Sequence, residues 1–233
     1  MVSRPAGVLR LGARAFGPSQ PLVMAVVPVG PADAMERVHA AVAEGADIVG
    51  VTGGPGREAD AAPFVAAVRD SYPALVVGVH TGRREVAREA CAAGADLLSF
   101  WDGPGVWGSE VAGYGAGARG SGVAEVAAEF GAGVVCPPGL AERAVAAGVE
   151  PERVVIGVEG AFGLAGLVAT GWPALVSLPE DDLARGLATA AVAAWLGARV
   201  FRVPWVRETR RVLRMVSAIR GDIPPACAVR GLA

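Results

Sequence analysis

Short, largely apolar runs alternate along this chain with longer segments whose apolar residues recur every three or four positions. Residues 22–27 (LVMAVV), 47–51, 74–79, 154–158, 174–178 and 200–203 are runs of the first kind. Their length, and the Gly or Pro that closes most of them, fit strands covered on both faces. Residues 32–44, 61–69, 84–92 and 206–220 are of the second kind. In the last of these Val206, Val212, Leu213, Val216 and Ile219 share one face, while Arg207, Arg211, Arg214 and Arg220 fall largely elsewhere. That is the pattern of a helix laid on a sheet.

The two patterns interlock in a repeat. GADIVGV at 45–51, GADLLSF at 94–100 and GARVFRV at 197–203 each pass from a glycine that ends a helix into a strand, and GAGVVCP at 131–137 is a weaker fourth copy. Repeated strand–helix units imply a parallel sheet with its helices outside. Counting the runs gives eight strands, which predicts an α/β fold of the (β/α)8 TIM-barrel class; an open doubly wound sheet is the alternative. Residues 8–16 alternate about Gly12 and predict a short N-terminal hairpin that plugs one end. Two connections stand out. Residues 103–122 form a glycine-rich stretch, either a solvated loop or a lid carrying Trp107 and Tyr114, and residues 159–171 leave room for only a short helix.

Composition narrows the function. With 53% apolar residues, 233 residues can bury one core, so residues 1–233 are expected to form a single domain. No apolar run reaches the length of a bilayer span and the start has no secretory pattern, so a cytoplasmic protein is expected. A net charge of −2 with dispersed arginines lacks the footprint of a nucleic-acid binder. All basic residues are Arg; without a lysine there is no Schiff base and no P-loop. Cys91, Cys136 and Cys227 are far apart and, with only His39 and His80 as histidines, give no metal-site spacing. No cofactor is expected.

In a barrel the chemistry belongs at the carboxyl ends of the strands. There His80 is the candidate general base, and a half-buried structural histidine is the alternative. Arg202, an arginine inside an apolar strand, must reach the mouth as an anion ligand or be paired inside. Thr52, Thr81, Ser99, Trp101, Asp102, Cys136, Glu159 and Trp205 are expected to line the pocket. Cys136 reads as a nucleophile or as a small core residue, Glu180-Asp181-Asp182 as a cation site or as a helix start, and residues 52–56 as a plain turn.

Seven stretches together resemble one family: VMAVV at 23–27, RVHAAVAEGADIVGV at 37–51, PFVAAVRDSYPALVVGVHT at 63–81, GADLLSFWDG at 94–103, LAERAVAAGV at 140–149, VATGWPALVSL at 168–178 and GLATAAVAAWLGARVFRV at 186–203. They are similar to dihydropteroate synthase, most closely to its actinobacterial paralogues, in the same order over nearly the whole chain. The resemblance implies a pterin-binding (β/α)8 barrel, usually dimeric through its late helices, that joins a pterin pyrophosphate to p-aminobenzoate. It also implies a ligand set that this chain has lost. The asparagine after the first strand is matched by Pro28, and the mobile loop behind it is missing. The aspartate ending the third strand is matched by His80, with Thr81 retained. Asn-Asp after the fourth becomes Ser99-Phe100, and Asp-Pro after the sixth, whose carboxylate holds the pterin, becomes Gly157-Val158. The Ser-Arg-Lys or Ser-Asn-Lys region after the seventh becomes Pro179-Glu180-Asp181, and Arg-Val-His survives as Arg202-Val203-Pro204. A buried site that loses several such hydrogen bonds, at about 1–3 kcal/mol each, no longer recognises its ligand. The leading expectation is therefore a non-catalytic accessory or regulatory paralogue. A repurposed enzyme binding an anionic small molecule through Arg202 is second, and a dihydropteroate synthase with altered ligands third. Expected partners are a second copy of the chain, another protein or the anionic small molecule, and neither nucleic acid nor membrane.

Overall fold

The computed structural model describes residues 7–53, 57–100 and 120–223. Two short antiparallel strands, β1 (Leu9–Leu11) and β2 (Arg14–Phe16), come first. Eight parallel strands then close into a barrel: β3 (Leu22–Val29), β4 (Ile48–Gly53), β5 (Val76–His80), β6 (Leu97–Ser99), β7 (Gly133–Cys136), β8 (Val154–Glu159), β9 (Ala174–Ser177) and β10 (Val200–Val203), with β10 hydrogen-bonded back to β3. The helices between them are α1 (Ala34–Ala43), α2 (Ala61–Ser71), α3 (Arg84–Ala92), α4 (Gly120–Phe130), α5 (Ala141–Ala146), α6 (Leu164–Ala169) and α7 (Leu183–Leu196); α8 (Val206–Arg220) ends the fold. This is the expected barrel and hairpin, closed rather than open. The connection after β8 holds only the six residues of α6, as its length required. The glycine-rich stretch, with Trp107 and Tyr114, lies outside the described residues up to position 119, and α4 opens at Gly120.

Strict alternation divides every strand between two cores. Val49 and Val51, Val77 and Val79, Val134 and Cys136, Val154 and Ile156 point outward under the helices. Ala174 and Val176, with Phe201 and Val203, do the same under α7 and α8. Leu22, Met24, Ile48, Val76, Leu97, Val135, Val155, Leu175 and Val200 point inward, where they meet Leu9, Leu11 and Phe16 of the hairpin. The amino-terminal end of the barrel is thus plugged by side chains, which leaves the carboxyl end for a site.

The repeated Gly-Ala-X turn has a physical reason at each position. Gly45, Gly94 and Gly197 have φ of 98°, 104° and 99°, in the left-handed region that ends a helix and that a side chain resists. The third residue then chooses its tether. Asp47 accepts from the Val23 backbone N–H at 2.8 Å and from Arg210, and Asp96 accepts from the Val77 N–H at 2.9 Å and from Arg69. Each aspartate pins its own strand to the neighbouring one and to a helix. Arg199, in the same place, donates instead to the carbonyls of Gly7 at 2.7 Å and Gly17 at 2.6 Å, which holds the hairpin in the barrel floor.

Candidate functional site

By the same alternation Thr52, His80, Ser99, Gly157, Glu159, Ser177 and Arg202 all face the lumen above the apolar floor, because each lies two or four residues beyond a floor residue on its own strand. Gly50 and Gly78, one layer below Thr52 and His80, contribute no side chain, and a Cβ on Gly50 would run into the end of Met24. The mouth is polar because the floor is not.

These residues form two groups on opposite arcs. On β4, β5 and β6, Thr52, His80 and Ser99 are neighbours in register. His80 Nδ1 lies 3.4 Å from Ser99 Oγ, at the long limit of a hydrogen bond. Thr81 is buried just beyond, where its hydroxyl accepts from the Arg83 N–H at 3.0 Å and its own N–H donates to the Ser99 carbonyl; it shapes the turn into α3. Phe100 turns outward and packs against the outer core, so only Ser99 of that pair faces the lumen.

On β8, β9 and β10 a cavity of about 570 Å³ opens at the mouth, lined by Glu159, Ser177 and Arg202 from the strands, by Glu180 and Asp181 just before α7 and by Arg185 in its first turn. Arg202 is 7% exposed. Burial lowers its guanidinium pKa to about 10, against the opposing pull of the Glu159 and Glu180 carboxylates. Partial desolvation lifts the Glu159 carboxyl above its ordinary value, and Arg202 offsets only part of that rise. The Ser177 hydroxyl is buried at the cavity wall with no hydrogen-bond partner. Asp182 caps α7 by accepting from the Arg185 N–H, and Asp181 pairs with Arg185, so the acidic run opens a helix. Among the described residues no three His, Cys, Asp or Glu side chains converge as a metal ion would require.

Two expected lining residues are elsewhere. Cys136 is on the outward face of β7, fully buried, and its thiol is pushed up to about 12 by burial first and by Glu142 second, so it is a core residue and not a nucleophile. Trp205 precedes α8 with its ring stacked over Gly186 of α7, where a Cβ would come within 2.9 Å of it, rather than in the cavity. Trp101 and Asp102 lie outside the described residues. The sequence reading missed Ser177. Its signal was a single hydroxyl in the apolar run 174–178, two residues past an inward leucine.

No family model matches the chain. It is 37% identical to inactive dihydropteroate synthase 2 of Mycobacterium tuberculosis, covering 87% of this chain and 80% of that protein. To inactive dihydropteroate synthase 2 of Mycobacterium leprae it is 36% identical, covering 84% of this chain and 85% of the relative. Among solved structures, Rv1207 of Mycobacterium tuberculosis superposes with a TM-score of 0.77 at 38% identity, over 93% of this chain and 99% of that one. The dihydropteroate synthase of Burkholderia cenocepacia, complexed with 7,8-dihydropteroate, has a TM-score of 0.74 at 22% identity, which is a likeness of fold.

Proposed function

Since the chain belongs to the dihydropteroate synthase family, as one of its divergent actinobacterial paralogues, we propose that it keeps the barrel and does not form dihydropteroate, acting instead as a non-catalytic accessory or regulatory protein built as one domain over residues 1–233. The observation that carries this is Gly157. The inward position of β8 matched to the pterin-holding aspartate has no side chain at all. Glu159 faces the same way but two residues further on, about 7 Å higher along the strand, beside Arg202 rather than at the level of the lost carboxylate. Pro28 at the end of β3 and Phe100, turned outward, supply no replacement for the amide and carboxylate they are matched to. His80, with Nδ1 3.4 Å from the Ser99 hydroxyl, has no proton to transfer in this reading. The relatives named inactive support the same reading. Incubated with 7,8-dihydropterin pyrophosphate, p-aminobenzoate and magnesium, the protein should release no dihydropteroate above the buffer blank; turnover at an ordinary enzymatic rate overturns it.

The same reading includes a homodimer through the late helices. Val192 and Trp195 on α7, with Met215 and Ile219 on α8, are exposed apolar residues at helical spacing, Trp195 and Ile219 by 59% and 66%. The two helices are tied together by Arg220, which donates to the carbonyls of Ala194 and Trp195. An apolar patch on two adjoining helices suits burial against a second copy. Light scattering should give the mass of a dimer, and Trp195→Glu, which would bury a charge in that contact, should give a monomer with unchanged far-ultraviolet circular dichroism. Among the described residues no helix is long and apolar enough to cross a membrane.

A further inference from the structure

Charged side chains wall the cavity at the mouth, and they do not cancel: three carboxylates, Glu159, Glu180 and Asp181, stand against two guanidiniums, Arg185 and Arg202. Neither guanidinium is left over for an occupant. Arg185 pairs with Asp181. Arg202 is buried, already engaged within the fold, and in the field of Glu159 and Glu180. The surplus is therefore negative, and it falls on Glu159 and Glu180, both exposed to whatever enters. Beside them is a hydroxyl with no partner. Ser177 is in register with Glu159 on one side and with Arg202 on the other, all at one level of the wall, and its Oγ is buried without a hydrogen bond. We propose that this cavity takes a small organic cation, a primary ammonium or guanidinium on a short apolar body, with Glu159 and Glu180 facing its charge and the Ser177 hydroxyl accepting one of its N–H donors.

An acidic rim alone would draw only a loose cloud of counterions, and the buried hydroxyl is what makes this rim a site. A hydroxyl accepts as readily as it donates, so Ser177 loses its desolvation penalty by taking an N–H. The choice of sign then falls to the carboxylates. An anion would have to compete with the groups that already hold Arg202, and would face Glu159 and Glu180 besides. A cation leaves those contacts as they are and relieves the surplus. The Glu159 carboxyl stands above its ordinary value because desolvation outweighs the pull of Arg202, so a second positive charge beside it favours the ionised form. Leu178 and Pro179 give the wall an apolar stretch for a few methylenes, and about 570 Å³ is within the range of small-molecule sites.

The site rests on the mouth having been released from pterin chemistry, and the two fail separately, since dihydropteroate formation is read by product and cation binding by ligand resonances. Titrations at low salt, followed by ligand-observed nuclear magnetic resonance, compare pentylamine and butylguanidine with pentanoate and pentanol as the matched anion and neutral compound. The better cation should bind about tenfold more tightly than either control. Ser177→Ala should weaken it several-fold while leaving the urea midpoint unchanged or raised, because the hydroxyl it removes has no partner in the empty protein. Glu159→Gln combined with Glu180→Gln, both exposed and isosteric, should erase the preference for cations. Phe162, 98% exposed two residues past Gly160 of the wall, and Leu183, 42% exposed two residues past Asp181, decide the source of the cation. If acetyl-Leu-Arg-Leu-amide binds more tightly than butylguanidine and Phe162→Ser removes the gain, the cation is a basic side chain of a partner protein; equal affinities make it a free amine or guanidine. Pentanoate binding as well as pentylamine, a preference untouched by Ser177→Ala or by the double carboxamide, or no binding by any of these compounds would overturn the proposal.

Discussion

Replacing Leu11 by alanine is expected to cost about 2–5 kcal/mol of unfolding free energy, toward the upper end of that range, read as a lowered urea midpoint with unchanged slope. Leu11 is fully buried in the barrel floor, and its Cδ2 lies where a Cβ on Gly133 would come within 2.9 Å. The cost of such a truncation depends on whether the surroundings can close over the gap. Here the walls are strands held in a continuous hydrogen-bonded ring, and the hairpin that carries Leu11 is tethered through Arg199, so little can move inward. Arg10, the residue between Leu9 and Leu11, is the control. It points outward and makes an exposed ion pair with Glu152, so Arg10→Ala should shift stability by no more than about 0.5 kcal/mol. A Leu11→Ala cost below about 1 kcal/mol would mean that the hairpin does not close the barrel.

The sequence made the barrel legible because its information is periodic. Apolar runs of four to six residues between amphipathic segments mark both kinds of element, and the Gly-Ala-X turn marks where one passes into the other. Parity within a strand was harder. A strand covered on both faces is apolar at every position, so Gly133–Cys136 reads the same whichever way Cys136 turns. The face is decided by register against β6 and β8, which the string of letters does not carry. Polar residues break that degeneracy. Arg202 was singled out because an arginine in an apolar run needs a destination, and the same logic applied to Ser177 would have found a second buried polar residue of the cavity wall. Trp205 was misplaced for another reason: its position after a strand end put it near the mouth, but Gly186 offers its ring a flat seat on α7 that no linear spacing reveals. The lost ligands were visible only through resemblance, since a glycine at position 157 signals nothing unless an aspartate was expected there.

Stability should fall steeply between pH 9 and pH 11, and two buried thiols should account for much of the fall. Cys136 and Cys91 are both pushed up to about 12 from an ordinary value of 9.0, Cys136 by burial and then Glu142, Cys91 by burial and then Asp96 and Glu129. Their folded values lie above their unfolded ones. The contribution is therefore fully present below pH 9 and is lost as the pH climbs toward 12, because the unfolded chain sheds protons that the folded chain retains. At pH 11 the loss is on the order of 2 to 3 kcal/mol per thiol. A Cys227→Ser background keeps the third cysteine out of the comparison. In that background the double change Cys91→Ala and Cys136→Ala should start from a lower stability near neutral pH, since both side chains are packed in the core, yet decline more gently above pH 9. The same protein with both thiols in place should resist an aromatic disulfide reagent at pH 8 until it is denatured, and then react at two sites. Parallel pH profiles for the two proteins, or rapid labelling of the native one, would place these sulfurs within reach of solvent and return Cys136 to the list of reactive groups.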